Sequence, residues 1–205
     1  MVAAIRQIRK REKAETILKG AMEEFLSKGY VGTSMDSIVA SVGISKPTLY
    51  NHFKSKEILF EAILKRIVEQ IFQGSNEEFF LKGPLAPALL EFAKRYSKVI
   101  LQPELISLHR LIAGEAQRFP ELGMLYYSSG YLKAEQGIEN MLQHYVSTGD
   151  LIDEDRTVMS HQYWGLVLSY VHNYAIFNLD NPLSQQAIEN SITAGVKAFE
   201  RLYAP

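Results

Sequence analysis

The sequence predicts an all-α protein: an N-terminal three-helix unit containing a helix-turn-helix, followed by a larger helical C-terminal domain. Three observations carry this. Apolar residues recur at spacings of three and four along nearly the whole chain, alternating strand patterns are scarce, and the interruptions fall at Gly or Pro. With 205 residues, 47% hydrophobic and 22% charged, the chain is long and apolar enough for one domain or two small ones around a real core.

Ala14, Ile17, Leu18, Ala21, Met22, Phe25 and Leu26 give the first amphipathic helix, which ends near Gly29. Met35, Ile38, Val39 and Val42 give one buried face to a short second helix that the Ser34 hydroxyl can cap. Gly43 sits where the chain must turn sharply, and Ile44, Leu49 and Phe53 form the next apolar set. Ser45 caps this third helix and Pro47 falls in its first turn, where a missing backbone donor costs nothing. With that apolar set turned inward, Lys46, Pro47, Thr48, Tyr50, Asn51 and His52 face outward. Such a row suits a DNA major groove: Lys, Thr and Asn can read base edges, Pro and the Thr methyl can touch a thymine methyl, and Tyr and His can hold phosphates. Ser55 caps a further helix beside Lys54 and Lys56, and backbone donors with ammonium groups make that helix start a phosphate clamp. The expected partner is therefore double-stranded DNA, bound by Ser34, Ser45, Lys46, Pro47, Thr48, Tyr50, Asn51, His52, Lys54 and Lys56. Upstream, Arg6, Arg9, Lys10, Arg11 and Lys13 are expected to be a basic arm over residues 1–13 that touches phosphates or the minor groove, or a disordered tail.

The run GISKPTLYNHFKSKE, residues 43–57, resembles the N-terminal signature of the TetR family of bacterial transcriptional regulators, and the similarity extends over about residues 10–65. Residues 108–130, LHRLIAGEAQRFPELGMLYYSSG, also resemble the ligand-domain segment of the AcrR-like branch of that family. The resemblance implies a DNA-binding domain over 1–56 and an effector-binding and dimerisation domain over 57–205. It further implies a homodimer made through the last two helices, a palindromic operator, release by a small-molecule effector, and a cytoplasmic location. Pro47 and Asn51 occupy positions that vary in the family, so no relative's operator sequence transfers.

Charge agrees with a localised DNA-binding surface. Residues 1–56 hold ten Lys/Arg against five Asp/Glu, and residues 57–205 hold twelve against eighteen, which hides behind a net charge of -1. The absence of cysteine excludes disulfides, thiolate metal sites and cysteine nucleophiles. Neither a signal-peptide core nor an uncharged run of about 18 apolar residues is present, so a soluble, unexported protein with no membrane association is expected.

A continuous apolar pattern predicts a helix from about Lys56 to Gln73, joining the two domains rigidly, and GSNEEFFLKGPLAP, residues 74–87, reads as a linker. Pro84 opens a helix to about Gln102; Pro103 and Pro120 start two more, the latter extending to about Thr148. Helices from about Asp153 to Leu179 and from about Leu183 to Tyr203 complete the chain. Ile188, Ile192, Val196, Phe199 and Tyr203, flanked by Ala187 and Gly195, make one stripe on the last helix, and Tyr163, Val167, Tyr170, Tyr174 and Phe177 make another on the helix before. Periodicity leaves open whether they face the chain's own core or a second subunit, and the resemblance points to the dimer.

Effector candidates are Tyr96, His109, Phe119, Met124, Tyr127, Met141, Tyr163, Trp164, Tyr170 and Asn173, a composition suited to a largely apolar or aromatic molecule with a few polar anchors. His109 and Glu115 do not share a helical face, and His161 and His172 lie too far apart for one ion, so no metal site is expected. The chain has no Gly-rich phosphate loop, His-Glu-x-x-His pair or Gly-x-Ser-x-Gly elbow, so neither an enzyme nor a cofactor is expected. The alternatives weighed against a DNA-binding regulator are a helical small-molecule-binding protein or enzyme without a DNA-reading role, and an RNA-binding or architectural helical protein.

Overall fold

The computed structural model describes residues 2–71, 81, 83–177 and 181–205. Its helices are α1 (Val2–Gly32), α2 (Met35–Val42), α3 (Lys46–His52), α4 (Lys56–Ile71), α5 (Leu85–Ile100), α6 (Pro103–Glu115), α7 (Pro120–Tyr126), α8 (Leu132–Ser147), α9 (Arg156–Phe177) and α10 (Gln185–Tyr203), with a π-helical turn at Tyr127–Tyr131. Among the described residues there is no strand, and no helix is long and apolar enough to cross a membrane. Expectations for residues 72–80, 82 and 178–180, which include the end of the helix from Lys56, most of the linker and the end of the helix to Leu179, lie outside the described residues.

The chain packs as two compact units. The first comprises Met1–Arg66 with Leu111–Ser129, and the second Ile67–Arg110 with Gly130–Pro205. In the first, Ile17, Ala21, Phe25, Ile38, Leu49, Leu59 and Phe60 are fully buried. Phe25 stacks on Tyr30 at 5.6 Å between centroids, and Phe60 meets both rings edge-on. α1 and α2 approach so closely that a Cβ at Gly20 would stand 2.5 Å from Val42 Cγ2. Gly29 breaks α1 as expected: its φ of 74° and ψ of 169° lie outside helical geometry and in a region glycine tolerates best. The start of α1 corrects the reading of residues 1–13 as a flexible arm or disordered tail. Helix extends back to Val2 because Ala, Arg, Lys, Glu and Gln dominate this stretch and no Gly or Pro interrupts it before Gly20.

Prolines punctuate the remaining helices as expected, with Pro84 at the N-cap of α5 and Pro103 and Pro120 opening α6 and α7. The helix expected from Pro120 to Thr148 runs without a break to Ser147, its α-helical parts α7 and α8 joined through one π turn, YSSGY, with helical backbone at both joins. α9 begins later than expected because the Asp155 carboxylate accepts the amides of Thr157 (2.9 Å) and Val158 (3.1 Å). α10 begins later because Ser184 accepts the amide of Ala187 at 3.2 Å.

The second unit closes around Leu89, Phe92, Ile138, Met141, Tyr163, Val167, Ile192, Val196 and Phe199. The Tyr163 hydroxyl donates to Leu89 O at 2.7 Å and that of Tyr203 to Gln162 Oε1 at 2.8 Å, so both tyrosines bury their rings with the polar end satisfied. This settles for most of the two late stripes the question that periodicity left open, and corrects their assignment to the dimer that the resemblance favoured. Ile192, Val196, Phe199 and Tyr203 with Tyr163 and Val167 belong to the chain's own core, whereas Tyr170 and Phe177 are 59% and 86% exposed. The apolar arc of α9 is wide enough for two neighbours, and helical spacing alone does not divide it.

α9 and α10 cross at Gly195. A Cβ there would lie 2.8 Å from Val167 Cα and closer still to Leu166 O. Gly195→Ala should therefore lower stability by about 1–3 kcal/mol through overpacking, against the ~1 kcal/mol that Ala otherwise adds within a helix. Chemical denaturation measures it, and unchanged or raised stability would contradict this crossing geometry.

Candidate nucleic-acid interface

The turn between α2 and α3 is built from three local devices. Ser34 and Ser37 form a reciprocal capping box at the start of α2, each hydroxyl accepting the other's amide at 3.0 Å. Gly43 ends α2 at φ 68° and ψ 41°, its amide bonded to Val39 O. Ser45 caps α3 through the Thr48 amide at 3.3 Å, with its hydroxyl 2.7 Å from that of Thr48. Leu49 is fully buried and Phe53 nearly so, which turns the opposite face of α3 outward. Lys46, Pro47, Asn51 and Lys54 are exposed; Thr48, Tyr50, His52 and Lys56 are half-buried. Ser34 and Ser45 are exposed too, but their hydroxyls are engaged as helix caps.

Three electrostatic contacts shape this surface. Lys46 at the start of α3 pairs with Asp36 of α2, its Nζ 2.8 Å from Oδ1 and 3.0 Å from Oδ2, and that bond raises the ammonium pKa. Burial lowers the His52 pKa, and the ammonium groups of Lys10 and Lys13 lower it further, so the basic residues of α1 lie within electrostatic reach of the end of α3. Lys56 turns inward, donating to Tyr30 O at 2.8 Å and Thr33 O at 3.1 Å and lying 4.2 Å from the centre of the Tyr30 ring. Its ammonium thus ties the segment after Gly29 to the start of α4, a structural use that sequence spacing did not reveal. Burial, aided by the Glu57 carboxylate, pushes the Tyr30 pKa up to about 12. Asp36 was also missed, because ten residues separate it from Lys46 and only the turn brings them together.

The ten effector candidates are divided between the two units. Phe119, Met124 and Tyr127 belong to the first unit and the other seven to the second. Met141 and Tyr163 are core residues, Met124 is 66% exposed, and Tyr127, Tyr170 and Asn173 are exposed as well. The rings of Tyr96 and Trp164 meet at 4.4 Å between centroids, tilted by 40°, and burial raises the Tyr96 pKa. His109 Nδ1 lies 3.0 Å from His172 Nε2; burial, with the second imidazole, lowers His109 to about 4. A cleft of about 190 Å³ opens elsewhere in the second unit, at the end of α5, along α6 and between the end of α9 and the start of α10. Its lining includes Ile106, Ser107, Arg110, Tyr174 and Leu183 and none of the ten candidates. The signal available beforehand was Arg110, a lone cation among the apolar residues of LHRLIAG.

Comparison with known proteins covers both halves of the chain. Residues 17–63 match the family model described as bacterial regulatory proteins of the tetR family, and residues 87–205 match that of the AefR-like transcriptional repressor C-terminal domain. A structure described as a TetR-family transcriptional regulator from Mesorhizobium loti is 29% identical with a TM-score of 0.79, covering 96% of this chain and 99% of that one. The flavonoid-responsive regulator FrrA is 30% identical with a TM-score of 0.74, covering 95% and 98%. The transcriptional activator FasR of Mycolicibacterium smegmatis is 39% identical over 66 residues, which span 32% of this chain and 30% of its own length.

Because its ammonium holds two backbone carbonyls, Lys56→Ala should cost about 1–2 kcal/mol of stability, as expected for charged hydrogen bonds at a half-buried site. Lys54→Ala should cost nothing measurable. Equal denaturation midpoints for the two variants would remove the structural role given to Lys56.

Proposed function

Because this chain belongs to the TetR family of transcriptional regulators, we propose that it is a ligand-responsive repressor that binds a palindromic operator as a homodimer and leaves it when a small, largely apolar or aromatic effector binds. The observation that carries the reading is the outward face of α3, where Lys46, Pro47 and Asn51 stand exposed between two capped helix starts. In this reading Lys46 and Thr48 contact base edges. Tyr50, His52 and Lys54 hold phosphates, joined by Lys10 and Lys13 from α1. Lys56 contributes through the backbone it fixes, and Ser34 and Ser45 through the amides they orient. The DNA-binding domain of residues 1–56 works with the helices that pack beside it, and residues 57–205 carry effector binding and dimerisation.

Repression is supported by the repressor model that fits residues 87–205. The activator FasR aligns with only 66 residues of the chain, so a shared reading head does not set the sign of regulation. An aromatic effector is supported by the flavonoid response named for FrrA. The dimer face in this reading is the outer side of α9 and α10, where Leu166, Tyr170 and Phe177 stand exposed with Leu202. Two-fold symmetry then sets two α3 helices into successive major grooves, about 34–36 Å apart. The effector binds better to a conformer with a different head spacing, so operator DNA must weaken effector binding by the same factor.

Selection from a randomised duplex pool at near-physiological salt should recover a palindrome with half-sites about one helical turn apart; recovery without sequence preference sinks the operator reading. On that palindrome Lys46→Ala should change the preferred sequence. Lys54→Ala should weaken all sequences alike and flatten the salt slope by about 0.9. Equal effects of both variants on every sequence would abolish the division of roles. Tyr170→Glu should shift the sedimenting species from dimer to monomer, and an unchanged dimer would move the interface elsewhere.

A further inference from the structure

Arg110 carries a charge for which the described residues of its own unit supply no paired carboxylate. Nε donates to Ile176 O at 2.7 Å and Nη2 to Ala175 O at 2.6 Å, two carbonyls near the end of the described part of α9. Among the described residues no Asp or Glu forms an ion pair with it. A guanidinium has five N–H groups, and these two bonds take one edge of the fork. The end-on pair, one N–H from each Nη, remains available, and the plane of the group is already fixed.

The same side chain borders the cleft of about 190 Å³. Pro103, Ile106, Leu183 and Ile188 give it apolar walls, Ser107 and Tyr174 bring hydroxyls, and among the described residues Arg110 is the one charged lining residue. The volume equals that of about six waters, which suits a single substituted ring rather than a fused polycycle. An apolar slot with one cation and two neutral hydroxyls favours a monoanion with a compact apolar body. A carboxylate matches the guanidinium edge in a bidentate geometry that a neutral amide does not reproduce.

We propose that this cleft binds a small monocyclic carboxylate, its carboxylate on the end-on edge of Arg110 and its ring against Ile106 and Leu183. As the identity of the effector this rests on the regulator reading above, while the binding itself does not. α6 carries the consequence: Arg110 packs in the second unit, and the same helix continues as Leu111–Glu115 in the first. Occupancy of the cleft thus acts on a helix shared by both units, where differential affinity for two conformers becomes a change in operator affinity.

Titration calorimetry with benzoate, and with benzamide as the neutral counterpart, tests the site on the full-length protein. Benzoate should bind saturably and about tenfold or more tighter than benzamide, a difference expected for one charge-assisted bidentate contact. Ser107→Phe, which fills the cleft, should abolish binding with the circular dichroism spectrum unchanged. Arg110→Gln should remove the preference for benzoate. Lack of saturable binding by about 10 mM would overturn the proposal. So would equal affinities for benzoate and benzamide, or undiminished binding to Ser107→Phe. The operator palindrome is selected without ligand: its recovery alongside failed benzoate binding sinks the cleft alone, and benzoate binding without any palindrome supports the cleft and sinks the operator reading.

Discussion

The reading surface depends on one backbone constraint, the left-handed turn at Gly43. With φ 68° and ψ 41° there, α2 ends within one residue and α3 can start three residues later, with Leu49 and Ile38 both fully buried. A β-branched or bulky residue would resist that conformation. The caps on either side make the turn self-sufficient. Ser34 with Ser37 satisfies the start of α2, Ser45 satisfies the start of α3, and no buried side-chain polar atom among the described residues lacks a partner. These local bonds define the shape of the turn without any contribution from a ligand.

Electrostatics on this surface are already partly spent within the protein. Lys46 is bonded to Asp36, Lys56 to two carbonyls, and the hydroxyls of Ser45 and Thr48 to each other. Such internal bonds orient the cations, and they also oppose indiscriminate capture of phosphate, since any new partner must compete with the one in place. In the proposed reading, Lys54 and the basic residues of α1 supply the general attraction, and the acidic balance of residues 57–205 confines it to the N-terminal part of the chain.

Much of this was legible in the sequence, for physical reasons that differ by element. The short helices of the first unit announce themselves through caps, Gly43 and Pro47, signals that act within a few residues. The starts of α6 and α7 were equally readable from their prolines. The π turn at Tyr127–Tyr131 was not, because YSSGY carries no signal that distinguishes a π turn from the α-helix on either side of it. The late stripes misled because Tyr163 and Tyr170 share one helical face by spacing, yet the first lies in the core and the second on the surface. The contacts of Lys46 and Lys56, and the cleft around Arg110, join residues ten to more than sixty positions apart. Periodicity and caps carry no information over that range; only the tertiary packing does.

Rigid reading heads repeated by a two-fold axis are the centre of the account, and hydroxyl-radical footprinting of the purified protein on its selected duplex tests them most directly. The account predicts two patches of backbone protection on one face of the DNA, symmetric about the palindrome's centre and about 34–36 Å apart. A single continuous footprint, or protection without symmetry, would contradict it.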